Sequence, residues 1–375
     1  MSGFSLGRFL AMLRKEMLEM RRDPATIGMT VALPLIQLFL FGYAINTNPH
    51  HLPTAVLSAD HSRYERSITR ALVNTDYFRL IDYDSEQAVD RALARGDVLF
   101  ALHIPPDFAR AVDRGEHPQL LMEADATDPT AIGYATSAMQ GITPGAITRD
   151  LPPNLRQVTS APAYTVTVQN RYNPEQITAY NIVPGLIGTI LSFSTMVITT
   201  LAITREREQG TMENLLAMPI RPVEVMLGKI IPYVGLGYVQ TALILLVAVF
   251  VFHVPILGSV PLLLAALGLF IACNLAIGFT FSSIATTQMQ AQQMAQFVLL
   301  PSLLLSGFLF PFAGMPGWAQ AIGETLPLTH IVRICRGLLL KGNGPWELWP
   351  DLWPMAVFAV VVGTIAVRSY RQTLD

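Results

Sequence analysis

Between Val254 and Gly323 the chain contains no Asp, Glu, Lys or Arg. A fold surrounded by water cannot leave so long a stretch uncharged without exposing a large apolar surface. Lipid is the solvent that suits this half of the chain. The stretch from Asp60 to Asp128 is the opposite, dense in both signs of charge. Over the whole sequence 14% of residues are charged and mean hydropathy is +0.42, whereas a soluble chain carries about a quarter charged residues. These features predict a polytopic α-helical membrane protein with a water-facing unit inserted into it.

Crossing ~30 Å of hydrocarbon at about 1.5 Å per helical residue takes roughly 20 apolar residues. Six segments qualify: Thr26–Ile45, Ile177–Thr200, Ile230–Phe252, Pro261–Ile284, Met294–Phe312 and Met355–Val367. The last is short, but Trp346, Trp349 and Trp353 just before it suit a membrane interface. Arg8, Arg14, Lys15, Arg21 and Arg22 precede the first span. Arg205, Arg207, Arg221 and Lys229 lie between the second and third, and Arg368 and Arg371 follow the sixth. Positive charge in short loops marks the cytoplasmic side. The expectation is a multi-pass protein of the cell (inner) membrane, with both termini cytoplasmic and the insert outside. Arg333, Arg336 and Lys341 run against this count. The mixed charges of the first 22 residues, followed by a long apolar run, predict a retained anchor rather than a cleaved signal peptide.

The expected parts are a cytoplasmic amphipathic helix over 1–23, a first span over 24–45, an extracytoplasmic domain over 46–175, and a core of the remaining five spans over 176–375. In the insert, Thr54–Leu57, Phe78–Ile81, Val98–His103 and Gln119–Met122 have strand patterns. Arg63–Val73, Ser85–Ala94, Pro106–Arg114 and Thr130–Gly141 have helical ones. That alternation predicts a small α/β domain. Its histidines show no metal-ligand spacing, so no metal site is expected. The two cysteines, Cys273 and Cys335, imply no disulfide framework. A basic nucleic-acid footprint is also absent.

Two polar stretches and one set of scattered residues could carry function. At the start, Leu6, Leu10, Leu13, Met17 and Met20 recur at helical spacing while Arg8, Lys15, Glu19 and Arg22 occupy another face. This helix either anchors topology in the interface or contacts a cytoplasmic partner. The loop 204–229 holds Arg205, Glu206, Arg207, Glu208, Gly210, Thr211, Met212, Glu213 and Leu216. Gly210 breaks the preceding helix and Thr211 can cap a short new one that stops before Pro219. Positive-inside charges explain the arginines, but not the matching glutamates or the exposed Leu215, Leu216 and Met218; a docking surface explains both. Within the spans, Asn181, Ser192, Thr195, Gln293 and Gln296 are polar and uncharged. They serve as helix–helix glue or, less specifically, line a pathway. The spans lack the ionisable groups that a proton-driven carrier normally needs. No GxxxxGK[ST], GxSxG, HExxH or CxxC pattern occurs, so the chain by itself is not expected to be an enzyme.

Taken together, Lys15-Glu16 through Arg22-Asp23-Pro24, Ile104-Pro105-Pro106-Asp107-Phe108, Arg205 through Glu213, and Pro327-Leu328-Thr329-His330 with Arg336-Gly337 resemble the membrane-spanning permease subunits of ABC-2 type exporters. The resemblance is to the subgroup with a large external domain after the first span, and it covers essentially the whole chain. It implies a six-span half-transporter that dimerises with an identical or sister permease in the membrane lipid. A separate ATP-binding subunit would hold ATP and Mg, leaving no cofactor on this chain. By position, Ser5–Arg22 would be the connecting helix and Arg205–Met218 the coupling segment. Re-entrant helices over 311–340 would form an outer gate that includes Pro311, His330 and Arg333. Arg333, Arg336 and Lys341 would then snorkel at the outer ends of half-spanning helices. A periplasmic adaptor is a further partner that such an external domain could meet. The expected activity is outward movement of a hydrophobic or amphiphilic compound, drugs included, by alternating access. Two other classes remain open: a sensor whose insert binds a ligand, and a membrane hydrolase using His253 or His330 as base.

Overall fold

The structure, a computed structural model, describes residues 50–127, 145–156, 162–175, 177–208 and 222–372, with isolated positions between 133 and 141. The expected connecting helix, the first span and residues 209–221 of the cytoplasmic loop lie outside the described residues.

The charged insert is an α/β domain. β1 (Leu52–Ser58), α1 (Arg63–Asn74), β2 (Phe78–Asp82), α2 (Glu86–Arg95) and β3 (Phe100–Ile104) form two strand–helix–strand units with parallel pairing. α3 (Phe108–Arg114) leads into β4 (Gln119–Asp125), which runs antiparallel to β3. After the short α4 (Pro153–Arg156), β5 (Thr165–Arg171) adds in parallel, giving the order β2-β1-β3-β4-β5. Serine caps start the first two helices: Ser62 accepts from the Glu65 amide and Ser85 from the Ala88 amide. Successive strand residues point to opposite faces, and both faces are covered. Leu52, Phe100, Leu102 and Ile104 pack with Tyr64, Ile68, Leu72 and Phe108. On the other face Ala55 and Ala101 meet Val89, Ala92 and Leu93 of α2. Four strands and three helices fall where the sequence pattern puts them. β5 escapes the pattern because its Thr-Val-Thr-Val edge is exposed or half-buried throughout. The expected helix Thr130–Gly141 is described only at isolated positions, all of them helical.

The apolar half contains α5 (Thr178–Glu208), α6 (Pro222–Phe250), α7 (Val260–Ile284), α8 (Gln288–Leu305), α9 (Gly317–Gly323), α10 (Pro327–Arg336) and α11 (Pro345–Gln372). Among the described residues, four helices are long and apolar enough to cross a membrane, over Thr178–Leu201, Pro232–Phe250, Val260–Ile284 and Pro345–Ala366. Three boundaries differ from expectation. α5 continues past Thr200 to Glu208, so the arginine–glutamate run is its last turn rather than a loop. The segment expected as a span over Met294–Phe312 falls on α8, Gln288–Leu305, which is not one of those four. Thr287 caps it by accepting from the Gln290 amide at 3.2 Å, and Gly307 in the left-handed region (φ 76°) follows its end. Capping and glycine geometry override hydropathy there. The sixth, expected over Met355–Val367, starts at Pro345 and carries Trp346, Trp349 and Trp353 within it. Its Pro350 and Pro354 stand four apart near the start, so the second proline leaves only the first proline's carbonyl without a helical donor.

α5 packs against α7, α8 and α10, and α7 also lies along α11. Glycines allow the close approaches. A Cβ on Gly278 of α7 would stand 3.0 Å from the Met196 carbonyl of α5, and one on Gly188 would meet Ile331 of α10 at 2.9 Å. The sheet domain sits at one end of this bundle, joined through α2 to the Gly337–Lys341 turn and to α11. Glu208 marks the other end, a full 31-residue helix away.

Candidate functional site

At the Glu208 end, α5 meets the start of α8. The Glu208 carboxylate accepts from the Gln288 backbone amide at 2.7 Å and from Gln288 Nε2 at 2.6 Å. The first amides of a helix have no internal partner and favour an anion. The Gln288 side-chain bond, then its backbone bond, holds this carboxyl below its usual range. Glu208 therefore ties the end of α5 to the start of α8. Arg205, Glu206 and Arg207 lie in the same last turn of α5. Gly210, Thr211, Met212, Glu213 and Leu216 lie outside the described residues, as do Arg8, Lys15, Glu19 and Arg22.

Along α5, Asn181, Ser192, Thr195, Thr199 and Thr200 are buried. Thr195 Oγ1 donates to the Leu191 carbonyl (2.5 Å), Thr199 to Thr195 (2.7 Å) and Thr200 to Met196 (2.7 Å). Each hydroxyl is thus satisfied by its own helix, and Ser192 is buried beside them. Asn181 accepts from Asn173 Nδ2 at 3.3 Å. Between helices, Gln240 of α6 donates to Ser194 of α5. On α8, Gln293 and Gln296 are half-buried, and the buried Gln293 Oε1 has no hydrogen-bond partner among the described residues.

At the sheet-domain end, α9 and α10 form a hairpin behind a tight turn, Phe312–Gly314, which starts at the buried Pro311. His330 is 3% exposed. Its Nδ1 faces Asp351 Oδ1 at 2.8 Å and its Nε2 faces the Glu324 carbonyl at 2.9 Å. The two ring nitrogens thus face a carboxyl oxygen and a backbone carbonyl oxygen. Arg333 donates to both Glu324 oxygens (2.6 and 3.1 Å) and to Asp351 (3.3 Å), with its guanidinium 4.5 Å above the Phe312 ring. Lys341 donates to Asp125 at 2.5 Å and to the Leu93 carbonyl at 2.9 Å, and Asn343 donates to the Ala94 carbonyl at 2.9 Å.

The snorkelling expectation fails for Lys341, which bonds to the buried Asp125 and turns into the sheet domain instead of reaching for open water. Arg333 stays partly exposed and pairs with the exposed Glu324 as well as with Asp351. Glu324, Asp351, Asp125 and Asn343 were not anticipated as partners. The available signal was the set of positive charges on the wrong side of the topology count, which called for buried acids nearby.

The ABC-2 family transporter protein model matches residues 24–368. The chain is similar to the probable multidrug ABC transporter permease YbhS of Escherichia coli K12, at 31% identity over 98% of each chain. YbhR, named likewise in that organism, is 26% identical over 97% of this chain and 98% of its own. The inner membrane transport permease YhhJ is 29% identical over 96% of each. With the apolar helices, the inserted α/β domain and the arginine–glutamate run at the end of α5, these matches show that the chain belongs to the ABC-2 family, as an ABC-2 type permease.

Proposed function

We propose that the chain is the membrane-spanning half of an exporter powered by a separate ATP-binding subunit, which carries the ATP and Mg. In this reading it has six spans in the cell (inner) membrane, both termini are cytoplasmic, and the sheet domain is outside. A second permease, identical or sister, completes the pathway. The observation that carries the reading is the Glu208 clamp on Gln288. Residues 209–221 follow Glu208 directly, so a push on that loop from a docked ATPase reaches α5 and α8 together. Closure of two ATPase subunits would tilt both helices about the dimer axis and alternate access between the cytoplasm and a route past the α9–α10 hairpin. The names of YbhS and YbhR support a multidrug cargo, and the uncharged helical interior suits hydrophobic or amphiphilic compounds over strongly ionic ones.

The test is transport with the partner ATPase present. Glu208→Gln keeps the shape but gives up one acceptor oxygen and the charge. Export is expected to fall about tenfold, the weight of a charge-assisted pair of bonds, while the amount of permease in the membrane and ATP hydrolysis persist. Unchanged export in the Glu206→Ala, Glu208→Ala double variant would sink the coupling assignment.

A further inference from the structure

A cavity of about 1040 Å³ lies between the sheet domain and the α9–α10 hairpin. Two cations on its wall are already matched, Arg333 by Glu324 and Asp351 and Lys341 by Asp125. Arg336 is not. Its Nη1 donates to the Gly307 carbonyl at 3.3 Å, while its Nε is buried without an acceptor. No carboxylate comes within ion-pair distance of it among the described residues. Of the remaining wall acids, Glu347 accepts from the Gly344 amide at 3.0 Å, and Asp97 is exposed. Beyond that one bond to Gly307, a half-buried guanidinium with a buried, unused donor bears a desolvation cost. A ligand oxyanion would offset it, and phosphate oxygens fit the planar fork at two points.

Two further features narrow the ligand. Arg79 and Arg95 also line the cavity, exposed and without an ion pair among the described residues, and raise the local concentration of anions there. Beside it, Leu309, Trp318 and Ile322 expose apolar surface on the segment whose Gly317 and Gln320 line the wall. We propose that the cavity binds the phosphate headgroup of an anionic amphiphile, with Arg336 as the headgroup contact and the apolar side of α9 receiving its chain. This deepens the export reading by giving the cargo class a polar end, yet it concerns binding alone.

The experiment uses the purified full chain in detergent, without ATPase or nucleotide, so its failure leaves the export reading untouched. Dioctanoyl phosphatidic acid, dioctanoyl phosphatidylcholine and inorganic phosphate are titrated by calorimetry. Phosphatidic acid is expected to bind tightest. Arg336→Gln should weaken it about tenfold, whereas Arg91→Gln, on the exposed face of α2, should not. Gly317→Trp adds bulk where a Cβ meets nothing within 4 Å. It should block binding with every charge retained, and it decides the matter if Arg336→Gln fails to fold. Wild-type affinity in Gly317→Trp, or in a folded Arg336→Gln, would overturn the site. Displacement of the lipid by equimolar inorganic phosphate would overturn the amphiphile and leave a free-anion site.

Discussion

Asp125 and Lys341 keep only 3% and 7% side-chain exposure where the sheet domain meets the bundle. Removing one partner from such a pair strands the other charge, whereas replacing both with apolar groups is often neutral. Lys341→Met is therefore expected to cost about 3–5 kcal/mol in denaturant unfolding, and Asp125→Leu in the same chain to recover most of it. A full loss in the double variant would show that the pair itself stabilises the joint. Tyr172 lies beside this pair, its ring 5.0 Å from Lys341 Nζ. Burial, then the charge of Asp125, pushes its hydroxyl up from 10.0 to about 12. Above pH 10 the unfolded chain releases this proton while the folded chain keeps it, so the folded state binds more protons and stability falls until about pH 12. Tyr172→Phe should flatten that alkaline loss when unfolding midpoints are compared across the range. Neither effect was legible from spacing, because Asp125 and Lys341 stand 216 residues apart.

Elements were easier to read than their ends. The alternation of β-rich and helical patterns located β1 to β4 and α1 to α3. Hydropathy also found α5, α6, α7 and α11. It misplaced α8 because glutamines fill the first turns of that helix and apolar residues fill the turn beyond it. Backbone geometry at Thr287 and Gly307 decides those limits, and a window average does not register it. Close helix contacts are likewise invisible to hydropathy but concentrate at glycine. Gly278→Leu is expected to cost about 1–3 kcal/mol, because its side chain would press on the Met196 carbonyl and on Thr199. Gly235→Ala on α6 meets open space, and gains about 0.5–1 kcal/mol of helix propensity instead. Thermal melts of the two variants in one detergent should move in opposite directions.

For the molecule as a whole, sidedness is the expectation most open to a direct check. Cys273 and Cys335 are free and buried, so an added surface thiol stands out against a quiet background. Val73 on α1 is 52% exposed. Val73→Cys should react with a membrane-impermeant maleimide in intact protoplasts; labelling only after permeabilisation would invert the proposed topology. The division into a lipid-facing core and a polar insert followed from charge distribution alone. The joint between them did not, because it depends on single side chains crossing from one to the other. Lys341 and Asn343 both donate to carbonyls at the end of α2, which makes that helix a handle on the hairpin. On the proposed topology, a binding protein that grips the solvent face of α2 would have mechanical purchase on the proposed exit, and an inhibitor built on that grip would not need to enter the cell.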